Sequence, residues 1–132
     1  METRILIISS DVQSVKLVSE IVLKETFSLS VYDSLEKAAR LAPFEDFEVI
    51  FVDMDLGIEK SMEYVSLVED IKDHPFLVLL IGNLEPKQEA EVREKGIFII
   101  LEKPLDEQSI RKMLVSREWE QKQTFVDSAG GV

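Results

Sequence analysis

Two aspartates, Asp53 and Asp55, close the apolar run Val49-Ile50-Phe51-Val52 within the segment FEVIFVDMDLG, residues 47–57. A run this short, and rich in β-branched and aromatic side chains, predicts a strand buried on both faces. Carboxylates just past the C-terminal end of such a strand lie where open α/β sheets carry their chemistry. An acid there offers an oxygen nucleophile or a cation ligand. Which of these it serves depends on its partners.

The elements that must supply those partners alternate along the chain. Residues 4–8, RILII, read as a first buried strand that ends on Ser9-Ser10-Asp11. Asp11 reads as the N-cap of a helix whose stripe is Val12, Val15, Leu17, Val18, Ile21 and Val22. Residues 26–32 alternate in polarity, which predicts a second strand at a sheet edge. Ser34 caps a short helix over 35–42 that Pro43 stops. The strand at 49–53 comes third. Ser61 then opens a helix with Met62, Val65, Val68 and Ile71 inward, broken at His74-Pro75.

Residues 76–81 form a fourth strand, ended by Gly82-Asn83, and Pro86 starts a polar helix that runs to Lys95 with Gly96 as its C-cap. A fifth strand over 97–101 ends on Glu102-Lys103-Pro104. The last helix begins near Asp106, turns Ile110, Met113 and Leu114 inward, and can run past Arg117 through Trp119. Residues 128–132 read as disordered. The expected domain is 1–116, with 117–132 as a helical extension and a tail or linker.

Five strands alternating with five helices predict an α/β fold, a flavodoxin-like (βα)5 doubly wound domain with a five-stranded parallel sheet in the order 2-1-3-4-5. In that order the ends of strands 1, 3 and 5 converge. Ser9, Ser10, Asp11, Asp53 and Lys103 are thereby expected around one pocket. Asp55 reads as a loop carboxylate beside it.

Composition removes several kinds of chemistry. The absence of cysteine excludes disulfides, thiolate metal sites and cysteine nucleophiles. A net charge of −11, spread along the chain, argues against this domain gripping nucleic acid through phosphates. No apolar run approaches the length of a membrane span, and the start METR carries no secretory pattern, so a cytoplasmic location is expected. His74 has no serine or cysteine partner nearby and reads as a loop residue.

With these residues in view, the chain resembles the receiver domain of bacterial two-component response regulators over about residues 4–116. The resemblance rests on the ILII strand running into a polar cluster, on VIFVD ending in Asp53, and on the spacing from Gly96 to Lys103-Pro104. It implies that Asp53 stands at the position accepting a phosphoryl group from a histidine kinase, that Lys103 pairs with the phosphoryl oxygens, and that Pro104 follows a cis peptide. Four positions depart from the pattern. Ser9 and Ser10 replace an acidic pair that holds Mg²⁺, Ile81 replaces a hydroxyl residue, and Ile100 replaces a switch aromatic. A shift of register does not rescue the hydroxyl, because no serine or threonine lies between Ser66 and Ser109.

Losing the acid pair together with its metal leaves the formal charge of a phosphorylated pocket unchanged, so charge alone does not forbid phosphorylation. What is lost is the ion that positions the transferring group. The expectation is therefore a degenerate pseudo-receiver, not an enzyme, acting by phosphorylation-independent protein–protein interaction. Asp53 and Lys103 then persist as an ion pair closing the pocket. No cofactor is expected, and Mg²⁺ binding is weak or absent, with Asp11 and Asp53 as its weak candidate ligands.

The expected partners are proteins: a histidine kinase, an output domain or another signalling protein. A homodimer through the last helix, using Trp119 and Phe125, is a further possibility, and neither nucleic acid nor membrane is expected. One alternative is a working phosphoacceptor receiver. Another is a haloacid-dehalogenase-like phosphatase, since VIFVDMDLG is similar to that family's D-x-D strand. Gly57 stands where that family has Thr or Val, and no later acidic pair follows the last strand. A flavin-binding module lacks a phosphate loop, since Ile81-Gly82-Asn83 holds a single glycine.

Overall fold

The computed structural model describes residues 2–95 and 99–116. Strands and helices alternate as β1 (Thr3–Ile8), α1 (Val12–Leu23), β2 (Phe27–Tyr32), α2 (Leu35–Leu41), β3 (Val49–Asp53), α3 (Ile58–Glu69), β4 (Phe76–Ile81), α4 (Pro86–Glu94), β5 (Ile99–Glu102) and α5 (Glu107–Ser116). Short 3₁₀ turns at Phe44–Asp46 and Met54–Leu56 lie on either side of β3. All neighbouring strands pair in parallel in the order β2-β1-β3-β4-β5, the topology the sequence predicts.

Side chains alternate across each strand, so the apolar strands feed two cores. Leu6, Ile8, Ile50, Val52, Leu77 and Leu79 face α2, α3 and α4. Ile5, Ile7, Val49, Phe51, Val78 and Leu80 face α1 and α5. Central β3 is buried at every position, which explains why it reads as an unbroken apolar run. Full burial of a side chain such as Phe51 contributes about 1.5–3 kcal/mol.

The helix ends follow local polar chemistry. Ser34 Oγ accepts from Lys37 N at 3.2 Å and starts α2. Gln88 Oε1 accepts from Glu85 N at 3.1 Å beside Pro86, and Asp106 Oδ2 accepts from Ser109 N at 3.0 Å.

Three expectations are corrected. Ser61 does not open α3, which starts at Ile58 because the 3₁₀ turn and Gly57, at φ 130°, reverse the chain earlier. Ser61 is instead buried within the helix, and its hydroxyl donates to the Asp53 carbonyl at 3.4 Å. Ile71 lies beyond the end of α3, and Tyr64 joins Val65 and Val68 on the inner face. Val12, expected inward, is the first residue of α1 and is 78% exposed. Gly96, the strand start at 97–98 and the stretch 117–132, with Trp119 and Phe125, lie outside the described residues.

Tyr64 carries an anomaly. Its ring packs edge-on against Phe44 at 5.1 Å, and its buried hydroxyl has no hydrogen-bond partner among the described residues. Burial pushes its ionisation far above the ordinary range. Removing an unpaired hydroxyl while keeping the ring takes away only a desolvation cost. Tyr64→Phe is therefore expected to hold or raise unfolding stability, by up to about 1 kcal/mol, in urea melts. A loss of that size would reveal a partner for the hydroxyl.

Candidate functional site

The site lies at the C-terminal ends of β1, β3 and β5. Asp53 is the last residue of β3 and is 1% exposed. Both of its oxygens are taken. Oδ1 accepts from Asp55 N at 2.9 Å, a local turn that folds the chain back at the strand end. Oδ2 accepts from Ser9 Oγ at 2.6 Å and from Lys103 Nζ at 2.7 Å.

Lys103 reaches this point because the β4–β5 ladder continues one residue past the strand, with Lys103 N donating to Ile81 O at 2.7 Å. That register sets Lys103 beside Gly82. Its ammonium also bonds Asp55 Oδ2 at 2.9 Å and approaches Asp11 Oδ2 at 3.8 Å. Three carboxylates thus converge on one cation. The cleft above them is lined by Ser10, Asp11, Asp53, Asp55, Lys103 and Pro104, among others.

Asp55 is the residue whose role the sequence concealed. Read as a loop carboxylate, it is part of the site. Its Oδ1 accepts from Gly82 N at 3.3 Å and from Asn83 N at 3.0 Å, while Oδ2 takes the lysine. Burial pushes its carboxyl up, but the bond from Asn83 N and the neighbouring Lys103 outweigh this and hold it below the ordinary value. Burial likewise pushes Lys103 down, and its bonds to Asp53 and Asp55 outweigh that and raise it.

Asp11 stands at the N-cap of α1 as expected, yet its side chain accepts from the Ser14 hydroxyl and makes no bond to a first-turn amide. That bond, with Lys103 nearby, lowers its carboxyl. Ser9 is buried, and its Oγ also accepts from Asp11 N at 3.0 Å. Ser10 is exposed at the rim. Ile81 is buried at the end of β4, and Ile100 is part-buried against the α2–α4 core. The Lys103-Pro104 peptide is cis.

Comparison with known proteins settles the family. The model of the response regulator receiver domain matches residues 5–115. The chain belongs to that family. No curated protein matches it significantly.

Among solved structures it is similar to the signal receiver domain of an HD domain-containing protein from Pseudomonas fluorescens Pf-5. That match has 15% identity and a TM-score of 0.76, covering 94% of this chain and 99% of that one. A CheY-like receiver domain protein from Methanospirillum hungatei JF-1 matches at 13% identity and TM-score 0.76, over 94% and 98%. NtrX from Brucella abortus matches at 15% and 0.74, over 98% of this receiver but 29% of its own chain. Receiver domains are in general non-enzymatic signalling modules that bind Mg²⁺ at their acidic pocket and interact with histidine kinases and output domains. Among the described residues, no helix is long and apolar enough to cross a membrane.

The ammonium holds the site together over a defined pH range. Asp55, lowered from 3.8, contributes its stability above that ordinary value and loses it as pH falls through the lower folded value. Lys103, raised from 10.5, contributes fully below that value and loses it as pH rises through the higher folded one. Thermal melts should therefore show a plateau between these limits. Lys103→Met leaves Asp11, Asp53 and Asp55 without their shared cation and should cost about 3 kcal/mol at neutral pH. The loss should shrink in acid, once Asp55 is protonated. A uniform loss at all pH values would assign Lys103 to packing alone.

Proposed function

We propose that this receiver is degenerate and works by phosphorylation-independent contact with signalling proteins. The observation that carries this reading is the occupancy of Asp53: Ser9 and Lys103 hold Oδ2 while the turn amide of Asp55 holds Oδ1. An incoming phosphoryl group would have to displace these bonds.

The residues present do not fit Mg²⁺ as they stand. The ion wants octahedral oxygens. Here Ser9 presents a hydroxyl that donates to Asp53, and the point on which Asp11, Asp53 and Asp55 converge is filled by the Lys103 ammonium. Among the described residues, no group of three or more acidic, histidine or cysteine side chains is arranged to hold a metal.

Charge now supports the same reading. Asp55 brings one further negative charge into the pocket than the strand ends alone supply. A phosphorylated Asp53 would therefore face a carboxylate across the shared ammonium, and the balance that left phosphorylation open is gone. Onward signalling is also poorly served, since Ile81 offers no donor and Ile100 no ring.

The site gives a phosphatase little support. Asp55 would be its acid/base, yet two backbone amides and Lys103 hold it as a carboxylate. The domain boundary at 116, a cytoplasmic location and self-association through the last helix belong to the same proposal.

The deciding experiment is incubation with Mg²⁺ and acetyl phosphate or beryllofluoride, followed by intact mass or amide spectra. No adduct is expected at millimolar reagent. An Mg²⁺-dependent adduct that Asp53→Asn abolishes would restore the working phosphoacceptor and end the degenerate reading.

A further inference from the structure

At the far end of the sheet from β5, β2 leaves one backbone edge open. Ser9 N donates to Tyr32 O at 3.0 Å, so the even-numbered residues of β2 turn their backbone groups toward β1. Leu29 and Val31 therefore turn theirs outward, where neither has a backbone partner among the described residues. Edge strands are commonly guarded by charge or proline, yet FSLSVY holds neither in a chain that is 31% charged.

The rim of this edge is apolar as well. Four of the six large apolar side chains exposed among the described residues are Val12, Leu23, Val31 and Leu41, at 45–83% exposure. On α1, Gln13, Leu17 and Glu20 face the cleft toward Pro104 and Leu105. Val12 and Leu23 lie three turns apart on the other flank, toward β2. On α2, Leu41 lies on the flank away from Glu36, which reaches Lys60 of α3.

We propose that this edge is a docking surface for a second copy of the chain, joining two five-stranded sheets through antiparallel β2 strands. A chain of net charge −11 meets its own copy with least repulsion at a neutral edge. A two-fold axis through Ser30 opposes Leu29 to Val31 of the second copy and Val31 to Leu29, each pair exchanging two bonds. Centred on Leu29 instead, the pairing would set Asp33 against Glu25 of the second copy. The same axis lays the two α1 helices antiparallel, so Val12 of each copy meets Leu23 of the other. This surface is distinct from the site at Asp53 and from the last helix.

Sedimentation of the full chain should show monomer and dimer in exchange between about 10 µM and 1 mM, the weak range of a small interface. Over that series the amides of Leu29 and Val31 should gain protection from hydrogen exchange. Those of Ser30 and Tyr32, bonded to β1, should stay protected throughout. Val31→Lys and Leu23→Glu, both at exposed positions, should each weaken association at least about tenfold. Trp119→Ala should leave it unchanged. A monomer throughout the series overturns the proposal and leaves the edge to a strand of another protein. A dimer whose Leu29 and Val31 amides stay unprotected overturns it too, without any variant having to fold. So does an association that Trp119→Ala removes and Val31→Lys spares, which would place it on the last helix.

Discussion

The site depends on a single ammonium held away from water. Lys103 is the only cation within 4 Å of Asp11, Asp53 and Asp55 among the described residues, and Asp53 is almost wholly buried. Burying a carboxylate without a partner costs several kcal/mol. The three strand ends can therefore meet only because β5 delivers a lysine to their centre. The parallel order of the sheet is what makes that delivery possible. The remaining contacts refine it: Ser9 fills a lone pair of Asp53, and the turn after β3 aims Asp55 at the same cation.

The fold was legible because its strands are short, apolar and separated by clear punctuation. β3 and β4 reveal themselves through length and side-chain type, and β2 through the polarity of an edge. Boundaries failed where backbone geometry overrode side-chain preference. Ser61 looks like a cap, but Gly57 at positive φ lets the chain turn four residues sooner. Val12 fits the helical stripe by spacing, yet as the first residue of α1 it stays exposed.

The site was half legible for a related reason. Asp53, Lys103 and Ser9 could be placed together because topology alone brings strand ends together. Asp55 could not, because its direction is set by a hydrogen bond from its own amide to Asp53 and by amides 27 and 28 residues away. The one hint in the sequence was Gly82, a residue without a side chain at a strand end where others crowd. Counting charges without Asp55 leaves out one carboxylate that shares the Lys103 ammonium.

The close approach at Gly82 also constrains how this chain can change. A Cβ at 82 would lie 2.7 Å from Asp55 Oδ2 and 3.0 Å from Lys103 Cδ, so the carboxylate would have to shift, and replacing Asp55 relieves the tighter of the two contacts. The two substitutions are therefore not additive, as is usual for groups in contact. The order in which they occur decides whether the intermediate is strained. A side chain therefore enters position 82 most easily after Asp55 has gone, and the glycine is held in place by a carboxylate 27 residues earlier in the chain.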